Sequence, residues 1–469
     1  MCIKRARTHR NSVAKAQEKG NDKNEGHNPL VGPPVVSSFF CHDLPVYRSG
    51  YFGPLVSIIL NIMDKLLATL ICSLFFVTAN SFAGQGPLPV KYRWRYPTSR
   101  IVHNQLLKSH RKIIVGMEEG TFIALNTDSG KEMWRYDAPA KVLWPSFSAP
   151  GYRQKLAAQY GHLFLSWSDG SVLSLHLDQG VKDWDVRLRT KPKWSPTVTW
   201  HAATVVCDSN RIVGLDTRDG RTLWTYETKS RVIDPPATDE KLLIFSTKNN
   251  EIHCLLEKTG EQAWTMKVNG LATPPPTFTN KKVIISTNKG LLYAVACKNG
   301  RLHWQQQVGL LATCPITYKN NLLVATKDGR LLALDSETGF VRWEHSSGYA
   351  LAQSPSRFDS VIHSTVLSPQ LLVYCTYFGD MLHGVHLETG NLLWLHRGGP
   401  DWTVPPAFSG PEVLFGNRDS YLHGMNGYYG AIIWKAKLDS HIVTVPLTID
   451  KRVFVGTKEG TVYAIDSPY

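Results

Sequence analysis

The sequence predicts an all-β fold, a β-propeller of four-stranded blades with tryptophan-docking repeats. The repeat count gives nine blades, with eight as the alternative if one unit is irregular. Three observations predict it. A Gly stands four positions before a Trp at Gly130/Trp134, Gly180/Trp184, Gly220/Trp224, Gly260/Trp264, Gly300/Trp304, Gly339/Trp343, Gly390/Trp394 and Gly430/Trp434, with longer intervals only after Trp134 and Trp343. A Pro follows each of these Trp at a nearly constant offset, at Pro145, Pro196, Pro235, Pro275, Pro315, Pro355, Pro405 and Pro446. Each unit reads as short apolar strands cut by Gly turns, and no helical periodicity extends across any unit.

Residues 1–62 differ from the rest. They carry eight basic and four acidic side chains, leaving +10 of the chain's +14 for the remainder, and they include the Pro/Gly-rich stretch around Gly32-Pro33-Pro34. Met63-Asp64-Lys65 then opens a charge-free apolar run over 66–79, followed by Ser81-Phe82-Ala83. A short charged start, an apolar segment and small residues before the cut describe a secretory signal peptide at 63–83. Such a segment belongs at a chain start, so residues 1–62 read as a non-native or disordered extension. The single propeller domain is expected over 84–469, exported to the periplasm or secreted.

The propeller opens with a strand that lacks a unit of its own. Lys91-Tyr92-Arg93-Trp94-Arg95-Tyr96 is a Trp strand, one repeat period ahead of Trp134. The units that follow are read from 310–345. An apolar stretch at 311–318 holds Pro315, and a buried strand covers 322–326. Lys327-Asp328-Gly329 makes a tight hairpin, 330–335 is the third strand, and 340–344 carries the Trp. The chain ends on three strands near 443–448, 453–456 and 462–465 with no Trp strand. Joined to the strand around Trp94 they complete one blade from both termini and remove the open edges. The repeat residues Trp94, Trp134, Trp184, Trp224, Trp264, Trp304, Trp343, Trp394 and Trp434 are thus nine uses of one part. Each is expected on the outermost strand, covering the seam to the next blade.

The pattern Ala-x-Asp-x-x-Thr-Gly-x-x-x-Trp at 333–343, with variants around Trp134 and Trp224, resembles the tryptophan-docking repeat of the pyrroloquinoline quinone (PQQ) propeller family over 91–466. That family contains quinoprotein dehydrogenases and non-catalytic exported members that scaffold β-barrel assembly in the outer membrane. The dehydrogenases resemble one another in an adjacent Cys-Cys pair, a calcium held by Glu, Asn and Asp, and an Asp base. Here Cys207, Cys254, Cys297, Cys314 and Cys375 are widely spaced, and no C-x-x-C exists. They are expected as single buried thiols inside strands. The resemblance therefore implies a non-catalytic, monomeric scaffold. Its partners are other envelope proteins, β-barrel assembly components among them, with at most peripheral membrane contact. A PQQ-dependent dehydrogenase and a glycan-binding propeller are the alternatives.

No catalytic, cofactor or metal residue is assigned. His383 and His386 lie three apart on one strand, which turns them to opposite faces. Basic residues are dispersed over hairpins without interleaved aromatics, which excludes a nucleic-acid footprint. The candidate binding residues are those beside the inner-strand prolines, at the channel mouth: Trp144, Trp194, Asp234, Gln353 and Trp402. They offer aromatic contacts to a peptide or loop, or simply pack the crowded funnel between blades.

Overall fold

The chain divides into two units, Met1–Ser81 and Phe82–Tyr469. The computed structural model describes residues 87–468 of the second, except 101, 118–119, 139–157, 280, 313, 348–362, 368–370, 376–380, 398–403 and 417. The extension and signal-peptide readings therefore lie outside the described residues, as do Trp144, Gln353 and Trp402.

The described strands form nine sheets built on four antiparallel strands, one of which carries a fifth, parallel strand, so the nine-blade count holds and the eight-blade alternative falls. Blades 1 to 8 occupy 102–137, 158–187, 197–227, 237–267, 277–307, 316–346, 363–397 and 407–437. Blade 9 joins Leu447–Ile449, Arg452–Gly456 and Thr461–Asp466 to the N-terminal strand Tyr92–Pro97, with Tyr92 opposite Ile465 and Trp94 opposite Ala464. Nine apolar clusters occupy the nine seams. One of them packs Phe454 and Val462 of blade 9 with Val102 and Ile113 of blade 1, which closes the ring. The second and third strands are buried almost throughout, as in Ala202–Val206 and Arg211–Asp216. This is why they read as continuous apolar runs rather than alternating ones. The fourth strands alternate, with the Trp inward.

The tryptophan repeat works across the seam. Eight of the nine repeat indoles lie over the turn glycine of the following blade: Gly220 has φ +74°, and a Cβ built there would stand 2.6 Å from the Trp184 ring. Glycine is thus required twice, for a left-handed backbone and for the closeness of the ring. In seven seams the indole N–H donates to the carbonyl three positions before that glycine, for example Trp184 to Thr217 at 3.0 Å and Trp224 to Glu257 at 2.9 Å. Across the strand pair the Trp faces only small residues, such as Ala124, Gly214, Ala333 and Gly424, which accounts for the Ala of the motif. Gly220→Ala combines left-handed strain of roughly 1–3 kcal/mol with a displaced indole. Its chemical-denaturation midpoint should fall clearly, whereas Gly410→Ala, whose Cβ meets nothing within 4 Å, should lose only the strain.

The seam between blades 8 and 9 departs from the repeat. Trp434 has no following turn glycine, and its N–H donates to the buried Glu412 carboxylate at 3.0 Å. The other oxygen of that carboxylate accepts from Ser467 at 2.6 Å. A two-residue strand, Leu88–Pro89, adds in parallel to the outer edge of blade 8, with Leu88 opposite Trp434. Trp434 is consequently fully buried, where most of its counterparts keep 7–9% of their surface.

Two details differ from the sequence reading. The repeat prolines among the described residues stand just before the inner strands, not within them: Pro196 precedes Thr197–Val198, and Pro315 precedes Ile316–Tyr318. There the missing N–H interrupts no ladder bond. The cysteines are not all strand residues. Cys254 lies inside a strand and Cys375 ends one, but Cys207 is buried just after a strand, and Cys297 and Cys314 are half-buried outside strands.

Candidate functional site

The first strands of blades 4 and 5, 7 and 8, 8 and 9, and 9 and 1 approach one another, and the residues leading into the first strands are those expected at the channel mouth. Trp194 and Asp234 occupy equivalent positions in blades 3 and 4, two positions after the isolated bridges Pro192–Cys207 and Val232–Thr247. Both are buried, at 6% and 9% exposure. Trp194 packs with Val232, Leu243 and Phe245 in the seam between these blades. Lys193 lays its ammonium 4.0 Å from the Trp194 ring centre and donates to the Val232 carbonyl at 2.8 Å. Burial, reinforced by the Arg231 charge, holds the Lys193 ammonium down at about 8. Burial pushes the Asp234 carboxyl up to about 6, against a hydrogen bond from Thr273 and the Lys193 charge. Further round, burial raises the Cys314 thiol to about 12, so it is an inert thiol rather than a nucleophile. Lys193, half-buried between the Trp194 ring and the Val232 carbonyl, is the residue the sequence reading missed.

The other non-repeat tryptophans separate cleanly. Trp167 is core, at 2% exposure. Trp200 is 61% exposed on the turn between the first two strands of blade 3. Tyr160, on the same turn of blade 2, meets Trp200 edge-on at 4.5 Å, and its hydroxyl donates to Glu240 of blade 4 at 3.0 Å. These three side chains form an exposed ridge over three consecutive turns. His383 is buried against Tyr374, and His386 bonds Thr389 instead, so the two histidines share no site.

The outer rim carries one anomaly. The residue after each repeat Trp points outward: Arg95, Arg135, Asp185, Thr225, Thr265, Gln305, Glu344, Leu395 and Lys435. Only blade 7 places an apolar side chain there. Its outer strand, Leu392–Arg397, exposes Leu392, Leu393 and Leu395 at 47–48%. Lys435 of blade 8 lies under the added strand Leu88–Pro89. Among the described residues no strand pairs with this outer edge of blade 7, which leaves an apolar edge of the kind that templates pairing with another chain.

A family model described as outer membrane protein assembly factor BamB matches residues 93–232, 208–377 and 379–468, essentially the whole ring. The chain belongs to that family. BamB of Nitrosomonas eutropha is 31% identical over 143 residues, covering 30% of this chain and 31% of that protein. The chain thus spans about a third of the length of the curated relative it matches. Among solved structures, BamB from Moraxella catarrhalis aligns over 80% of this chain and 99% of its own, with a TM-score of 0.49 and 17% identity. The computationally designed Ika8 protein aligns over 81% of this chain and 99% of its own, with a TM-score of 0.51 and 14% identity, a likeness of fold alone. Membership in the BamB family accounts for the docking repeat. It says nothing about the apolar edge of blade 7 or the exposed ridge at Trp200, which are features of this chain.

Proposed function

We propose that this protein is an exported, non-catalytic scaffold that binds other proteins of the cell envelope, components of β-barrel assembly among them. Family membership supports the general role. The observation that carries it to a surface is the uncovered edge of blade 7. The same chain covers the neighbouring edge with Leu88–Pro89, so an outer edge of this ring accepts an added strand. The channel-mouth set Trp144, Trp194, Asp234, Gln353 and Trp402 is the second candidate contact. Within this reading the signal segment is removed after Ala83, the protein works in the periplasm with at most peripheral membrane contact, and no quinone is held.

The test pairs fractionation with capture. Epitope-tagged protein should be recovered from the envelope fraction as a species beginning at Gly84, with outer-membrane assembly proteins attached after mild crosslinking. The double variant Leu393→Lys/Leu395→Lys should lose most of that capture while its melting temperature stays within about 2 °C, because exposed substitutions cost little stability. Equal capture by the variant would sink the blade 7 assignment. A PQQ-induced absorbance band with calcium, together with dye reduction on alcohols, would overturn the non-catalytic reading.

A further inference from the structure

The basic residues that look scattered along the chain are gathered by the ring. Turns joining the first and second strands of blades 4, 5 and 6 bring up Lys241, Lys281 and Lys319, and the turn between the third and fourth strands of blade 5 brings up Lys298. These side chains rim an open cleft of about 1320 Å³. Its floor is half-buried and largely apolar, with Leu242 and Phe278. Two of its cations are spent internally. The buried Lys282 donates to the Glu337 carboxylate at 2.5 Å and to the Ser336 carbonyl at 3.2 Å, stapling blade 5 to blade 6. Lys319 pairs with Glu388 at 2.8 Å. Lys241, Lys281 and Lys298 are exposed, and among the described residues none has an ion-pair partner. The Tyr160–Trp200–Glu240 ridge borders the cleft at Lys241 on the same face.

We propose that this cleft is a docking site for an acidic segment of a partner protein, its carboxylates on the lysine rim and an apolar side chain on the Leu242/Phe278 floor. The proposal rests on the reading that the ring binds proteins, and it names a partner chemistry and a surface separate from blade 7. Three points select this occupant. The volume exceeds the roughly 300–1,000 Å³ of small-molecule pockets and is open, so it suits a stretch of chain. The floor is apolar, which a free anion does not use. The surface is concave, whereas a bilayer presents a flat array of headgroups.

The experiment titrates the folded protein with a fluorescein-labelled hexaglutamate peptide bearing a central Phe, and in parallel with phosphatidylglycerol vesicles. Saturable peptide binding is expected. It should weaken at least about tenfold when salt is raised to screen exposed charges, and by a similar factor in Lys241→Glu/Lys281→Glu/Lys298→Glu. The neutral triple variant to Ser should fall between, and circular dichroism should be unchanged in both because all three lysines are exposed turn residues. Peptide binding that is absent, or indifferent to the triple variant, overturns the proposal, as does vesicle binding that tracks the lysines while peptide binding does not. Envelope proteins still captured by a protein that ignores the peptide would leave the scaffold reading standing and reject only this site.

Discussion

A chain cut to begin at residue 99 should no longer hold a cooperative ring. The cut removes Leu88–Pro89 from blade 8 and the whole fourth strand of blade 9. With that strand go five paired positions against Thr461–Asp466, the Trp94 ring in the closing seam, and its N–H bond to the Thr127 carbonyl at 3.1 Å. The Arg93–Asp466 bond is lost too, and Trp434 loses its cover. Deleting one buried Trp side chain costs roughly 3–5 kcal/mol, and the lost pairing adds to it. The unfolding midpoint by circular dichroism should drop by on the order of 10 °C, and size exclusion should show association through the bared edges of blades 8 and 9. Adding the peptide 87–98 in trans should restore both. An unchanged midpoint would mean that the closing strand is dispensable and the ring is held elsewhere.

The second large effect is a loss of stability in acid, seated between blades 6 and 7. His383 is 3% exposed, stacks on Tyr374 at 4.7 Å, and among the described residues neither of its ring nitrogens has a hydrogen-bond partner. Its equivalent in blade 8, His423, bonds Asp419 at 2.8 Å, and that in blade 4, His253, meets the Tyr226 hydroxyl at 3.2 Å. Burial, helped by the nearby His345, presses the His383 imidazole down to about 4. The folded state thus keeps it neutral where the unfolded chain, near 6.5, takes up a proton. Stability is full above about pH 6.5 and is lost progressively as pH falls to about 4, by roughly 3 kcal/mol from this one group. His345 is pressed the same way by burial, so the two act together. Urea unfolding at pH 7 and pH 4.5 should show this loss, and His383→Phe, which keeps an aromatic ring against Tyr374 but takes up no proton, should remove most of it. A variant with the wild-type pH profile would place the acid sensitivity elsewhere.

The architecture was legible because its determinants repeat. A Trp once per unit with a Gly four before it encodes a ring that docks on a turn, and the unfinished last unit with the spare strand at Trp94 encodes closure. What could not be read were features made by curvature. Lys241, Lys281 and Lys319 sit at one turn of three successive units and look dispersed until the blades set them side by side. Aligning the units by their Trp and reading down each column would have exposed both that cluster and Leu395, the one apolar residue in an outward column of polar ones. Trp194 and Asp234 stand beside the inner-strand prolines as expected. Their burial depends on the neighbouring blade, which no local pattern encodes. The pairing of Leu88–Pro89 with blade 8 involves too few residues to leave a periodic signal.

The central claim is that this ring holds envelope proteins at its outer edge. It is tested most directly by placing a photo-crosslinking amino acid at position 395 and, as a control, at the equivalent outward position 305, in cells that export the protein. The account predicts adducts with outer-membrane assembly proteins from 395 and none from 305. Identical adducts from both positions, or none from 395 in protein shown to be folded and exported, would contradict it.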